Sequence, residues 1–183
     1  MPGASVHRQL PATQAGRRLT MQTPQVHGKP VRASQSDYSE LALPNDANVL
    51  GNVLGGKVMH LVDLAGAMAA LRHARTPVVT ASVDYMNFLH PVHIGQLIVL
   101  RSSVNRVFRT SMEVGVKVWV EDLLTGERQH TSSAYLTFVA VDTAGNRVHV
   151  PAVIPETEEE KRRYEEALRR REYRLELRER SHP

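Results

Sequence analysis

GNVLGGKVMHLVDLAGAMAALRHA, residues 51–74, is a mostly apolar run that holds a single acidic side chain, Asp63. Val58, Leu61, Val62, Ala65, Met68 and Ala69 recur at helical spacing along one stripe, while Leu64, Ala67 and Leu71 make other sides apolar as well. The spacing predicts a helix of about 17 residues that starts after Gly55-Gly56, ends near Arg72-His73 and is closed by Thr76-Pro77. A helix apolar on so many sides is expected to be buried nearly all round.

Strand-like runs surround this helix. A first strand is expected over 36–43, with a turn-rich break at Pro44-Asn45-Asp46-Ala47-Asn48 before the helix. Four more follow it, over 78–88, 95–108, 110–123 and 128–141. In the third of these, Met112, Val114, Val116, Val118 and Val120 alternate with Ser111, Glu113, Gly115, Lys117 and Trp119, so one face is expected to be buried and the other more polar. The short connection Leu124-Thr125-Gly126-Glu127 implies an antiparallel hairpin, and the sheet is expected to be an antiparallel meander. One long apolar helix followed by a run of strands gives an α+β fold, a curved antiparallel sheet wrapped around that helix.

The ends differ from this middle. Residues 1–36 carry Arg8, Arg17, Arg18, Lys29 and Arg32 with no Asp or Glu, and Pro, Gly, Ser, Thr and Gln dominate them. Residues 1–35 are therefore read as a flexible basic extension, with Met21 as an alternative start. The domain follows over 36–145, and 146–183 reads as a linker and a charged C-terminal helix. Residues 156–180 hold nine acidic and nine basic side chains, with Glu158 near Arg162 and Glu165 near Arg169 at i,i+4 spacing. Balanced charge of this kind suits a solvated helix and gives no net pull on phosphate, which argues against nucleic acid as a partner.

Composition narrows the classes. The chain has 183 residues, 42% hydrophobic, enough for one domain with a core. The absence of cysteine excludes disulfides, thiolate metal sites and a cysteine nucleophile. It also gives no support to an oxidising compartment, so a cytoplasmic location is expected. No apolar stretch approaches the roughly 20 residues of a membrane span. Gly-x-Ser-x-Gly, Walker and Gly-x-Gly-x-x-Gly motifs are missing. His90-Pro91-Val92-His93 is the one short histidine spacing, but Pro91 places it in a loop without an acidic partner, and no metal and no cofactor are expected.

A carboxylate on an apolar helix is expensive unless its lone pairs are satisfied, which makes Asp63 the first functional candidate. Pairing within the fold, with Arg72, His73 or a backbone amide, is the plain structural alternative. Asn52 lies in the Gly51–Gly56 loop that leads into the helix, where free N–H groups and the helix dipole favour an oxygen with partial negative charge. Asp63 stands about 10 Å along the helix axis from Gly56 at 1.5 Å per residue, so one subunit need not supply both groups to one site. A homodimer would bring them together.

These residues resemble the hot-dog fold acyl-CoA thioesterases, in particular the cytosolic acyl-CoA hydrolase and YciA-like group. The resemblance runs over about residues 36–142 and rests on GNVLGG at 51–56, Met59 to Gly66, Arg72-His73, Thr80-Ala81-Ser82-Val83-Asp84 and Asn87-Phe88. Leu54 stands where some members carry histidine. The resemblance implies a thioesterase that hydrolyses fatty acyl-CoA, with Asp63 as general base or nucleophile and Asn52 positioning the water or the carbonyl from the facing protomer. It further implies a trimer of hot-dog dimers. Gly55 and Gly56 are the candidates for donating amides to the thioester, and Thr80 and Ser82, on one face of their strand, for receiving the pantetheine arm. Arg75, Arg106, Arg109 and Lys117 are available to coenzyme A phosphates, although surface solvation explains any one of them. An acyl-CoA-binding sensor without turnover is the alternative of a different class, and a hydratase is a minor third.

Overall fold

The computed structural model describes residues 28–181. In chain order the elements are β1 (Lys29–Pro30), β2 (Ser36–Leu41), α1 (Gly55–Ala74), β3 (Val78–Met86), β4 (Leu97–Val107), β5 (Ser111–Glu121), β6 (Arg128–Ala140), β7 (Val153–Ile154) and α2 (Glu158–Ser181). Short 3-10 turns at Val31–Ala33 and Pro44–Asp46 flank β2.

Five strands make one antiparallel sheet in the order β2-β4-β5-β6-β3. β4, β5 and β6 form the expected meander, but β3 does not sit beside β4. It crosses to the far edge and pairs with β6, while α1, between β2 and β3 in the chain, lies across the sheet. α1 touches all five strands. Its inner stripe, with Leu61, Val62, Ala65 and Ala69, is buried with Leu100, Val114, Val116, Leu136 and Phe138 in one core. Gly66 lets the helix sit this close, since a Cβ there would stand 3.0 Å from the Phe138 ring.

The expectation of a helix buried all round is corrected by its outer face. Met59, Leu64 and Leu71 are exposed in the single chain, as are Val79, Val83 and Tyr85 of β3. The stripe that meets the sheet is the one the spacing marks; of the additional apolar positions Leu64 and Leu71 are exposed, whereas Ala67 packs against the core.

The outer face of the sheet carries α2, which also departs from the solvated helix expected. Ala167 is fully buried, Arg106 donates to the Tyr164 carbonyl at 3.1 Å, and its guanidinium stacks over the Tyr164 ring. The polar residues of β5 that seemed bound for solvent, Ser111 and Glu113, lie buried, and Arg170 of α2 reaches Glu113 with two hydrogen bonds.

Residues 28–35 of the expected extension belong to the fold: β1 pairs in parallel with β7, and Val31 and Ser34 are buried. Residues 1–27 lie outside the described residues. The stretch at 146–157 likewise does more than link, with Val150 and Val153 in the core. Together these segments close the C-terminal end of α1. Lys29 Nζ donates to the His73 carbonyl at 2.6 Å, where the helix dipole favours a cation. No helix among the described residues is long and apolar enough to cross a membrane.

His73 in that closure is fully buried, with Nε2 2.8 Å from the Pro151 carbonyl, and burial holds its pKa below the ordinary histidine value. The neutral ring is thus the folded form, whereas the unfolded chain takes up the proton near pH 6.5. Its contribution is intact above that pH and is lost as pH falls from about 6.5 toward the lower folded value, at up to about 1.4 kcal/mol per pH unit. Urea denaturation midpoints between pH 8 and 5 are expected to show this fall in the wild type and a shallower one in His73→Gln.

Candidate active site

Asp63 sits in the third turn of α1, on the side of the helix facing β3, and is half-buried. Thr80 Oγ1 of β3 donates to its Oδ1 at 2.7 Å. One carboxylate oxygen is thereby held in place, and Thr80 itself is open to solvent. None of the partners considered from sequence, Arg72, His73 or a backbone amide, takes this role: Arg72 donates to the Gln35 carbonyl and His73 turns to Pro151.

Thr80 and Ser82 do not share a face, contrary to expectation. β3 pairs with β6 through register shifts between Thr80 and Ser82 and between Val83 and Tyr85. Thr80 opposes Phe138, a core residue, and so looks toward α1. Ser82 opposes Thr137, which in turn opposes Glu113 under α2, and its hydroxyl donates to Asp84 Oδ1 at 3.0 Å. A bulge adds a residue to one strand and thereby reverses the alternation, which no period-two pattern reveals.

The loop before α1 forms a second group. Asn48 Oδ1 accepts from the backbone N–H of Leu50 at 2.9 Å and of Asn52 at 3.2 Å, and Gly51 takes a left-handed φ of 77° that closes the turn. Lys57 ties this loop down by pairing with Glu40 and Asp46. Asn48, Asn52 and Gly55 line a cleft of about 340 Å³ with Phe88, Leu89 and His90. No side chain caps the N-terminus of α1; the Lys57 and Val58 amides already donate to the Leu54 carbonyl, which leaves those of Gly55 and Gly56 to face a ligand oxygen. A Cβ at Gly56 would meet nothing within 4 Å, so the opening of the helix is unobstructed.

Within one chain the sequence candidates therefore fall into two groups, Asp63 with Thr80 and Asn52 with Gly55 and Gly56, separated by about two turns of α1, roughly 10 Å. Sequence reasoning passed over Asn48, whose signal is the Asn-Val-Leu-Gly turn it organises, and the acidic Asp84, visible only once the bulges of β3 are known.

The chain is similar to known proteins in sequence and in fold. The model of the Thioesterase superfamily matches residues 50–127. The uncharacterized acyl-CoA thioester hydrolase YkhA of Bacillus subtilis is 46% identical over 117 residues, 64% of this chain and 68% of that protein. Among solved structures, an apo-hexameric acyl-CoA thioesterase superposes with a TM-score of 0.80 at 44% identity, covering 82% of this chain and 97% of that one. An acyl-CoA hydrolase from Staphylococcus aureus, solved with butyryl coenzyme A, coenzyme A and coenzyme A disulfide, gives 0.78 at 35% identity over 84% of this chain and 93% of its own. That hydrolase has also been solved as three alanine variants: at an aspartate, at a threonine 17 positions after it, and at an asparagine 15 positions before it.

Proposed function

The chain belongs to the thioesterase superfamily, with its hot-dog fold, and on that premise we propose that it hydrolyses fatty acyl-CoA to free fatty acid and coenzyme A, with Asp63 as the reacting carboxylate. The observation that carries this reading is the hydrogen bond from Thr80 to Asp63. It fixes one oxygen of the carboxylate and leaves the other to take a proton from water or to attack the thioester carbon directly. The intervals separating the three residues replaced in the Staphylococcus hydrolase, counted from Asp63, fall on Thr80 and on Asn48, which supports the pairing and adds Asn48 to Asn52 as a candidate for orienting water or carbonyl.

In this reading negative charge that develops on the thioester oxygen is met by the first-turn amides of α1 at Gly55 and Gly56 and by an asparagine of the preceding loop. The thiolate of coenzyme A departs, and a proton returns to it. Because the two groups are separated along the helix, Asp63 of one copy works with the loop of a second copy. The exposed apolar side chains Met59, Leu64, Val79 and Val83 supply a surface for that pairing. The hexamers among similar structures support further assembly into a trimer of dimers.

Release of coenzyme A from acyl-CoAs of graded chain length tests the function. Turnover is expected, with Thr80→Val lowering kcat about tenfold by removing one hydrogen bond to the carboxylate, and Asn48→Ala or Asn52→Ala lowering it by a similar order. Tight acyl-CoA binding with no release at any chain length would overturn the reading in favour of a non-catalytic acyl-CoA binder.

A further inference from the structure

The strand that presents Thr80 to Asp63 is also gripped from the opposite side of the sheet. Arg174 of α2 pairs with Asp84 Oδ2, while Ser82 donates to Asp84 Oδ1, so each oxygen of this carboxylate has its own donor. The Asp84 side chain is only 9% exposed and that of Arg174 22%. The clasp lies across the two register shifts of β3, the first of which turns Thr80 toward α1 and Ser82 toward α2.

β3 is an edge strand with a single neighbour, β6. At a bulge the ladder with β6 is interrupted, so within the chain the strand is less restrained there. The Ser82–Asp84–Arg174 clasp supplies that restraint from the outer face. α2 does not depend on it for docking, because Arg170, Ala167 and the Tyr164 carbonyl hold the helix to β4, β5 and β6 independently.

We propose that Asp84 and Arg174 are positioning residues for Asp63: by pinning the bulged strand they set the direction in which the Thr80 hydroxyl meets the carboxylate. The proposal rests on the reading of Asp63 given above. The charged C-terminal helix is thereby part of the apparatus that orients the reacting group, although it lies on the far side of the sheet from it.

The test is a cycle of Arg174→Ala and Thr80→Val, singly and together, on coenzyme A release by the full chain. Arg174→Ala is expected to lower kcat about fivefold with KM changed less than about twofold, a size typical of coupling through a packed element. Arg174→Lys is expected to recover most of the loss. In the Thr80→Val background Arg174→Ala is expected to cost nothing more, because its effect runs through Thr80. Asp84→Asn, close in shape and neutral, is expected to reproduce the Arg174→Ala result and serves where that variant folds poorly. An unchanged kcat, or losses that simply multiply in the double variant, would overturn the proposal. Asp63→Asn measured alongside separates the two layers: a retained kcat there removes the reading of Asp63, whereas its collapse together with multiplying losses removes only the positioning role.

Discussion

Asp63→Asn is expected to lower kcat for acyl-CoA hydrolysis by a factor on the order of 10² to 10⁴, the usual contribution of a positioned base, with fold and assembly retained. Asparagine keeps the size of the side chain and an oxygen that accepts the Thr80 hydroxyl, so the contact of 2.7 Å between α1 and β3 survives. What it removes is the second carboxylate oxygen with its negative charge, the atom that takes the proton from water or attacks the thioester. Asp63→Ala removes both, and leaves the Thr80 hydroxyl without its acceptor. The comparison therefore divides chemistry from architecture: a large loss in Asp63→Asn assigns the chemistry to the carboxylate. A kcat within about threefold of wild type in Asp63→Asn but not in Asp63→Ala would reduce Asp63 to a structural partner of Thr80. Steady-state coenzyme A release, with size-exclusion profiles of each variant, makes the measurement.

That Asp63 could be singled out from sequence follows from the cost of charge in an apolar helix: one acidic residue among twenty-four positions is conspicuous in any reading of 51–74. The five strands of the sheet and α1 were legible for a related reason, since hydrophobic period is set by which faces meet the core. The same reasoning fails where geometry depends on residues distant in sequence. Nothing in Thr80-Ala81-Ser82 announces a bulge, so two hydroxyls expected on one face stand on opposite faces. Nor does the alternation in β5 reveal that α2 will cover its polar side, because the groups that make burial tolerable there, Arg170 for Glu113 and Arg174 for Asp84, lie 57 and 90 residues away.

The charge pattern of α2 is ambiguous for a physical reason. Arginine buries its aliphatic stem and stacks its planar head, so a helix rich in it reads as solvated while packing closely. Arg170 lies 3.6 Å over the Tyr135 ring and Arg171 4.2 Å over that of Phe108. Only the tertiary partners distinguish these side chains from Arg162, which makes a surface pair with Glu166.

Among those partners the Arg170–Glu113 pair has the largest expected effect on stability. Glu113 is fully buried in β5 and accepts from Arg170 Nε at 3.1 Å, Arg170 Nη2 at 2.7 Å and Asn105 Nδ2 at 3.0 Å. Arg170→Ala leaves a buried carboxylate with one neutral donor, a change expected to cost about 3–5 kcal/mol. For a chain of this size that corresponds to a fall in Tm of about 6–20 °C. Removing the exposed Lys161–Glu158 pair of the same helix, by contrast, is expected to cost less than about 1 kcal/mol. The double variant Arg170→Met with Glu113→Leu is expected to regain most of the lost stability, because an apolar pair of similar volume carries no desolvation cost. Thermal melts of the four proteins decide the matter. A melt of Arg170→Ala within about 2 °C of wild type would mean that Glu113 is not held by Arg170 in solution. The contrast with Arg174 is then informative: Arg170, at the centre of the sheet, governs how firmly α2 is docked, whereas Arg174→Ala, one turn further on and over the edge strand, is expected to lower the melt less than Arg170→Ala, because Asp84 is 9% rather than 0% exposed and keeps the Ser82 hydroxyl, and to act on turnover.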